Sequence, residues 1–471
     1  MVHIHHALPT ELLVWIFKAG ALIPAHRKEL PFPLLVSRIC RHWRDIVIDS
    51  PDVWTNVQWY VPSRPFPAIW FERSKSCLLD ITLQVHSCYL EQDEDLDISP
   101  LIPHMDRCRR LIIDVKDDYE LVELIRPLKD VFAPRLEYVE VCLREPDGDG
   151  ELNEQHFFTG ETPNLRSVRL RRAFLQVPPT LVGVRTLDLH EWLPSSTQFL
   201  LLGTASSLTT LVLHDCTLMN EDEDDDDDEY PVVELPSLLN LAISYPKSSP
   251  WHYPEPEKSL LRYLSLPNLE YLEIVHATIH DLINHFPIDD QKLHYPKLET
   301  LRLDSLQLAK GDIGDLLFRT LPTVAHLQLI NTEGEHILPA RSVSTGAGHG
   351  AASDMAATTE SPRWPDLHTI TLETAPTDNL IWLCDIVSTR IEMGKPLGRV
   401  RFSAVSYAHF VLFGFGLFRF SRAWFEARVE VDVVGDDELL GIIRPEDNSW
   451  EDESREDSEP DDASDSEEDL E

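Results

Sequence analysis

Residues 296–303 read Pro-Lys-Leu-Glu-Thr-Leu-Arg-Leu, and that spacing returns along most of the chain. The unit is Pro-x-Leu-x-x-Leu-x-Leu, with other aliphatics accepted at the last positions. It stands at Pro134, Leu136, Val139 and Val141, at Pro163, Leu165, Val168 and Leu170, and at Pro236, Leu238, Leu241 and Ile243. It returns at Pro267, Leu269, Leu272 and Ile274, at Pro322, Val324, Leu327 and Leu329, and at Pro365, Leu367, Ile370 and Leu372. Versions without the proline begin at Leu78, Cys108, Val184, Leu208 and Leu397, and most steps are 19 to 31 residues. In Leu-x-Leu the two aliphatics point to one side of a strand and the middle residue to the other. One such strand cannot bury its apolar side alone, so units stack and the strands align into a parallel sheet. Proline ahead of each strand sets an extended approach and gives up only a donor that the ladder does not yet need.

This pattern resembles the leucine-rich repeat, over roughly residues 78–403. It departs from that family two residues beyond each strand, where an Asn or Cys is expected. Cys216 fits, but Ala173, Trp192 and Leu306 take the same place elsewhere. The expected fold class is therefore α/β, an irregular solenoid with a parallel sheet. Segments such as 195–204 and 311–319 would form its convex side. Val429, Val431 and Val433 alternate with charged residues and read as a closing strand.

Working outward to the front of the chain, residues 8–17 carry Leu8, Leu12, Leu13, Ile16 and Phe17 at helical spacing. Pro9 suits a helix start and Glu11 its first turn. A second run places Val36, Ile39, Cys40, Trp43, Ile46 and Val47 on another helical stripe. Two or three short helices cannot bury this much apolar surface among themselves. The segment resembles an F-box, on the strength of Leu8-Pro9-x-Glu11-Leu12-Leu13-x-x-Ile16-Phe17, of Ile39-Cys40-Arg41-x-Trp43-Arg44, and of Ser50-Pro51-Asp52-Val53-Trp54. The longer loop at 19–33 is similar to that of fungal members. The resemblance implies docking on a Skp-family adaptor, which links to a cullin scaffold and a ubiquitin-conjugating enzyme. The contact residues it implies are Leu8, Pro9, Leu12, Leu13, Ile16, Phe17, Val36, Ile39, Cys40 and Trp43.

The chain has 471 residues, with 81 acids against 41 bases and a formal charge of −40. Such a balance argues against nucleic acid or an anionic membrane as partner. The charge is concentrated: 221–229 is wholly acidic, and 446–471 holds fifteen acids against Arg455. Seven scattered cysteines, never spaced Cys-x-x-Cys, read as reduced thiols of the cytosol or nucleus. No basic leader with a cleavage site opens the sequence, and the longest apolar run, 410–418, is too short to span a bilayer. The expected organisation is a helical domain at 1–55, a connector at 56–77, a solenoid at 78–435 and a disordered acidic tail at 436–471. Within the solenoid, 221–229 reads as a solvated loop and the Gly/Ala/Ser/Thr-rich 341–361 as a flexible insertion.

No catalytic constellation is legible: there is no phosphate loop, nucleophile elbow or zinc-protease helix. His3, His5 and His6 sit on a terminus, and the acidic block lacks the Gly turn and spaced ligands of a calcium loop. No metal, cofactor or catalytic residue is expected. What remains is a binding surface, built from residues that the strands turn to the concave side. Arg169, Arg171, Asp188, His190, His214, Tyr271, Glu273, Arg302, Asp304, His326 and Gln328 are the candidates for meeting a protein substrate. The combined expectation is a non-catalytic substrate receptor of a cullin-based ubiquitin ligase. Its rivals are a solenoid scaffold whose front helices are only a cap, and a binder of basic proteins through the acidic tracts.

Overall fold

The computed structural model of the chain describes residues 8–23, 30–61, 67–85, 96–145, 162–173, 181–192, 196–216, 231–246, 260–286, 295–307, 313–338, 363–373, 377–413 and 422–444. The acidic loop 221–229, the insertion 341–361, the three N-terminal histidines and the tail beyond 444 lie outside them.

Fourteen strands form one parallel sheet in strict chain order. They are β1 (Asn56–Val61), β2 (Leu79–Val85), β3 (Cys108–Val115), β4 (Tyr138–Leu143), β5 (Ser167–Arg171), β6 (Thr186–His190) and β7 (Thr210–His214). They continue as β8 (Asn240–Ser244), β9 (Tyr271–Val275), β10 (Thr300–Asp304), β11 (His326–Ile330), β12 (Thr369–Glu373), β13 (Arg399–Ser403) and β14 (Glu430–Val434). A small parallel pair, Val233–Glu234 with Leu264–Ser265, stands apart. The register stacks like on like. Leu301 lies between Leu272 and Leu327, and Leu303 between Ile274 and Leu329. The same two apolar rows run through all fourteen strands, with Trp59 and Phe402 as aromatic members. Behind them pack Leu282, Leu317, Leu383 and Phe410 from the connecting helices, closing one continuous core. The leucine-rich-repeat-like solenoid is thus the fold of this chain.

Six of the strands end in the same manoeuvre. Arg172, Glu191, Asp215, His276, Ser305 and Asn331, each directly after a strand, hold φ between +46° and +60°. The amide of such a residue donates to the last carbonyl of the neighbouring strand, as Arg172 does to His190 and Ser305 to Ile330, both at 2.9 Å. One place further on, polar side chains tie repeats together where they occur. Cys216 Sγ donates to the Leu189 carbonyl at 3.4 Å, and Thr332 Oγ1 to that of Leu303 at 3.2 Å. Ala173 and Ala277 fill the equivalent place as buried apolar plugs.

The front of the chain forms α1 (Thr10–Ala21), α2 (Phe32–Ile39) and α3 (Arg41–Asp49). Leu13, Phe17, Val36, Ile46, Val47, Val53 and Trp54 make their shared core. Gly20 allows the Phe32 ring to lie against the α1 backbone, where any Cβ would overlap it. Cys40 is not a face residue but the N-cap of α3, its sulfur accepting from the Trp43 amide at 3.4 Å. Trp54 forms the joint to the solenoid. Its indole donates to the Val47 carbonyl at 2.8 Å, stands edge-on to Trp70 at 5.6 Å and carries Arg73 over its face at 4.4 Å.

Two boundaries differ from the sequence reading. The connector 56–77 holds β1, whose Val57 and Trp59 continue the aliphatic rows against Ile81 and Leu83. Aromatic side chains there hid the period-2 pattern. The segment 436–444, expected as the start of a disordered tail, is folded: a helical turn at Asp436–Leu439 is followed by buried Ile443. Replacing Trp54 by Ala should cost about 3–5 kcal/mol through the cavity left at this joint. A clear fall in the urea midpoint, followed by circular dichroism, is the expected outcome; an unchanged midpoint would show that the helices and sheet are not coupled through it.

Candidate protein-binding faces

The middle residue of each Leu-x-Leu stands on the sheet face opposite the core. Read across the register, one row runs Glu140, Arg169, Asp188, Val212, Ala242, Glu273, Arg302, Gln328, Thr371 and Arg401. Polar residues occupy both ends and two small apolar ones the centre. Opposite charges stand side by side, as cross-strand neighbours about 5 Å apart favour.

At one end Arg169 Nε lies 2.7 Å from Asp188 Oδ2. The other carboxylate oxygen, Oδ1, is 3.0 Å from His190 Nε2 and 3.5 Å from His214 Nε2. His190 follows Asp188 on the same face, and His214 is its cross-strand partner, so the two imidazoles stack at 3.9 Å and 12°. Burial alone would raise the Asp188 carboxyl; the hydrogen bond and charge of His190, with Arg169 and His214, outweigh it and hold the group below the usual range. These three residues also place three potential metal-ligand atoms within 4.8 Å of one another, a grouping that sequence reasoning missed. Asp188 and His190 were legible as a pair, but His214 joins them only through the register. With the rings parallel, their lone pairs run side by side, so chelating one ion requires a ring to turn. Arg171 faces Glu191 at a looser 3.9 Å.

At the other end the candidates are covered. Glu273 is wholly buried and Arg302 nearly so, with Arg302 Nε 3.4 Å from Glu273 Oε1. Tyr271 donates its hydroxyl to Glu273 Oε2 at 3.0 Å, and Arg302 reaches Asp304 at 3.2 Å and Gln328 at 3.4 Å. Burial pushes the Glu273 carboxyl up, with Arg302 opposing. What covers them is a later segment of the same chain, 436–444. The Leu439 carbonyl accepts from Arg302 Nη1 at 2.7 Å, and the Ile442 amide donates to Glu273 Oε2 at 2.7 Å. Ile443 then buries itself on Val212, Ala242 and Val275, with Ile442 beside it. Glu273 and Arg302, expected to be open to a substrate, are occupied by this segment. His326, half-buried on β11, and Arg169, Arg171 and His190 at the other end lie outside that cover.

The front helices divide the candidate adaptor contacts in two. Leu13, Phe17 and Val36 are core, and Trp43 is half-buried with its ring 5.2 Å from Phe17. Leu8, Pro9, Leu12, Ile16 and Ile39 are exposed, Leu12 and Ile16 by about half. The structure adds Trp15, 72% exposed, and Leu35 to this outer face.

No protein-family profile matches the chain, and no curated protein matches it. Among solved structures it is similar to an internalin from Listeria monocytogenes at 15% identity, covering 54% of this chain and 68% of that one with a TM-score of 0.21. The fold assignment rests on the strand register, not on that likeness. None of the described helices is long and apolar enough to cross a membrane.

A carboxyl held below its ordinary value of 3.8 favours folding above that value, and the benefit fades as pH falls through the folded pKa. Asp188→Asn should therefore cost about 1.5–3 kcal/mol at pH 7, the range for hydrogen bonds to charged groups. Urea melts at pH 7 and pH 3 should show the gap from wild type closing at the lower pH. An equal gap at both would mean that the carboxylate's charge is not what stabilises the cluster.

Proposed function

We propose that this chain is a non-catalytic substrate receptor of a cullin-based ubiquitin ligase. In this reading α1 and α2 dock on a Skp-family adaptor, and the solenoid presents a target protein on its free sheet face. The observation that carries it is the two-sidedness of the front helices. Their inner side closes the end of the solenoid around Trp54, while Leu12, Trp15 and Ile16 on α1 and Leu35 and Ile39 on α2 leave apolar side chains in solvent. A cap alone has no need of the second side, and contiguous exposed apolar surface marks a protein partner. The F-box resemblance of the same residues says which partner. The receptor supplies proximity: bound target and ubiquitin donor share one assembly, which raises the effective concentration of one at the other. This places the protein in the cytoplasm or nucleus, where such ligases work.

The test is capture of the Skp-family adaptor by the full chain and by a Leu12→Asp, Ile16→Asp double variant. Both positions are exposed, so the fold survives by circular dichroism. Central apolar anchors commonly contribute about 2 kcal/mol each, about thirtyfold in affinity. The double variant should therefore lose adaptor capture. Capture that persists, or a wild-type chain that takes up no adaptor, overturns the reading.

A further inference from the structure

The segment 436–444 crosses the free sheet face from the end of the solenoid towards its centre. Glu438 pairs with Arg401 of β13 at 2.5 Å, the Leu439 carbonyl meets Arg302 of β10, and the Ile442 amide meets Glu273 of β9. Ile443 ends on Val212 and Ala242 of β7 and β8. Three features set this strap apart from an ordinary packed element. Its apolar contact with Val212, Ala242 and Val275 is a separate cluster that shares no buried residue with the solenoid core. Lifting it leaves that core intact. The two buried charges, Glu273 and Arg302, address main-chain atoms of the strap, the Ile442 N–H and the Leu439 C=O at the end of its helical turn, groups that another peptide of the same shape also offers. And its two main-chain contacts with the sheet reach residues 137 and 169 places away in sequence, with Leu440 between them turned to solvent.

We propose that the strap is an exchangeable internal ligand, and that the groove beneath it binds a short peptide, a helical turn followed by two adjacent branched aliphatics, supplied by a partner protein. Glu273 takes an amide of that peptide, Arg302 takes a carbonyl three residues earlier, and the Val212–Ala242–Val275 floor takes an aliphatic side chain. The central groove is then closed until a target segment replaces the chain's own. This rests on the reading of the solenoid as the target-presenting half, and it adds where the target sits, what it resembles and what competes with it.

The strap's weak point is Gly441. A Cβ there would overlap the Glu273 carboxylate and crowd the Arg302 guanidinium, so Gly441→Leu ejects the segment without shortening the chain. The probe is a fluorescein-labelled peptide with the sequence of residues 435–444, Gly-Asp-Asp-Glu-Leu-Leu-Gly-Ile-Ile-Arg. Fluorescence anisotropy should show at least tenfold tighter uptake by the full-length Gly441→Leu chain than by the wild type, whose tethered strap competes. Ile442→Asp with Ile443→Asp, which alters only the strap, should give the same gain. Ala242→Leu added to either should abolish uptake by filling the floor. Equal uptake by wild type and variants, or no uptake by folded variants, overturns the proposal. So does loss of folding in both strap variants, which would make the segment part of the core. Adaptor capture is scored separately on the same proteins. Normal capture without peptide uptake defeats only the strap proposal, and uptake without capture defeats only the ligase reading.

Discussion

A five-residue strand with two aliphatics on one side can hide them only beside another strand of the same kind. That constraint organises the molecule. It sets the like-on-like register of Leu301 with Leu272 and Leu327, and six of the strands are followed by a sharp turn. The turn uses a left-handed residue that need not be glycine. At Arg172, Glu191, Asp215 and Ser305 the conformational cost is offset by a hydrogen bond from the residue's amide to the next strand's last carbonyl. Stacking also creates two ends, and an end exposes the core. At the front the answer is a helical domain seated through Trp54.

The other sheet face is free of that constraint and carries the specific chemistry. Charges alternate across it because neighbours in a parallel ladder stand close enough to attract. Where the alternation stops, at Val212 and Ala242, the segment 436–444 lies down on the apolar gap. The two polar ends of the row therefore differ. The Arg169–Asp188–His190–His214 cluster is tied to itself, whereas Glu273 and Arg302 are tied to a segment from the far end of the protein.

The fold was legible wherever one repeat could be compared with the next. The Pro-x-Leu-x-x-Leu-x-Leu spacing located β4, β5 and β8 to β12 directly. β1 escaped because Trp59 and Tyr60 stand in place of the aliphatic rhythm. The sites were less legible, for two physical reasons. An apolar stripe on a short helix is wider than the side that packs, so Leu12 and Leu13 look alike until the neighbouring helices decide which is core. Contacts between distant parts leave no local trace. Residues 436–444 read as the lead into an acidic tail, and only the groove 169 residues upstream gives Ile442 a partner. His214 in the same way belongs to Asp188 and His190 only once the register is known.

The last strand has a consequence of its own. β14 ends the sheet, so among the described residues a row of main-chain donors and acceptors there has no neighbour in the strand order, a standing invitation to pair with another molecule. Its sequence is Glu-Val-Asp-Val-Val, with acids alternating along the strand. Arg399 holds Glu430 at 3.1 Å and Arg401 holds Asp432 at 3.5 Å, which fixes both acids against β13. Charged side chains on an edge strand are one of the ways in which native sheets blunt such pairing. Growth of the parallel stack from one molecule into the next, the first step towards a fibre, is opposed by two carboxylates on the final strand.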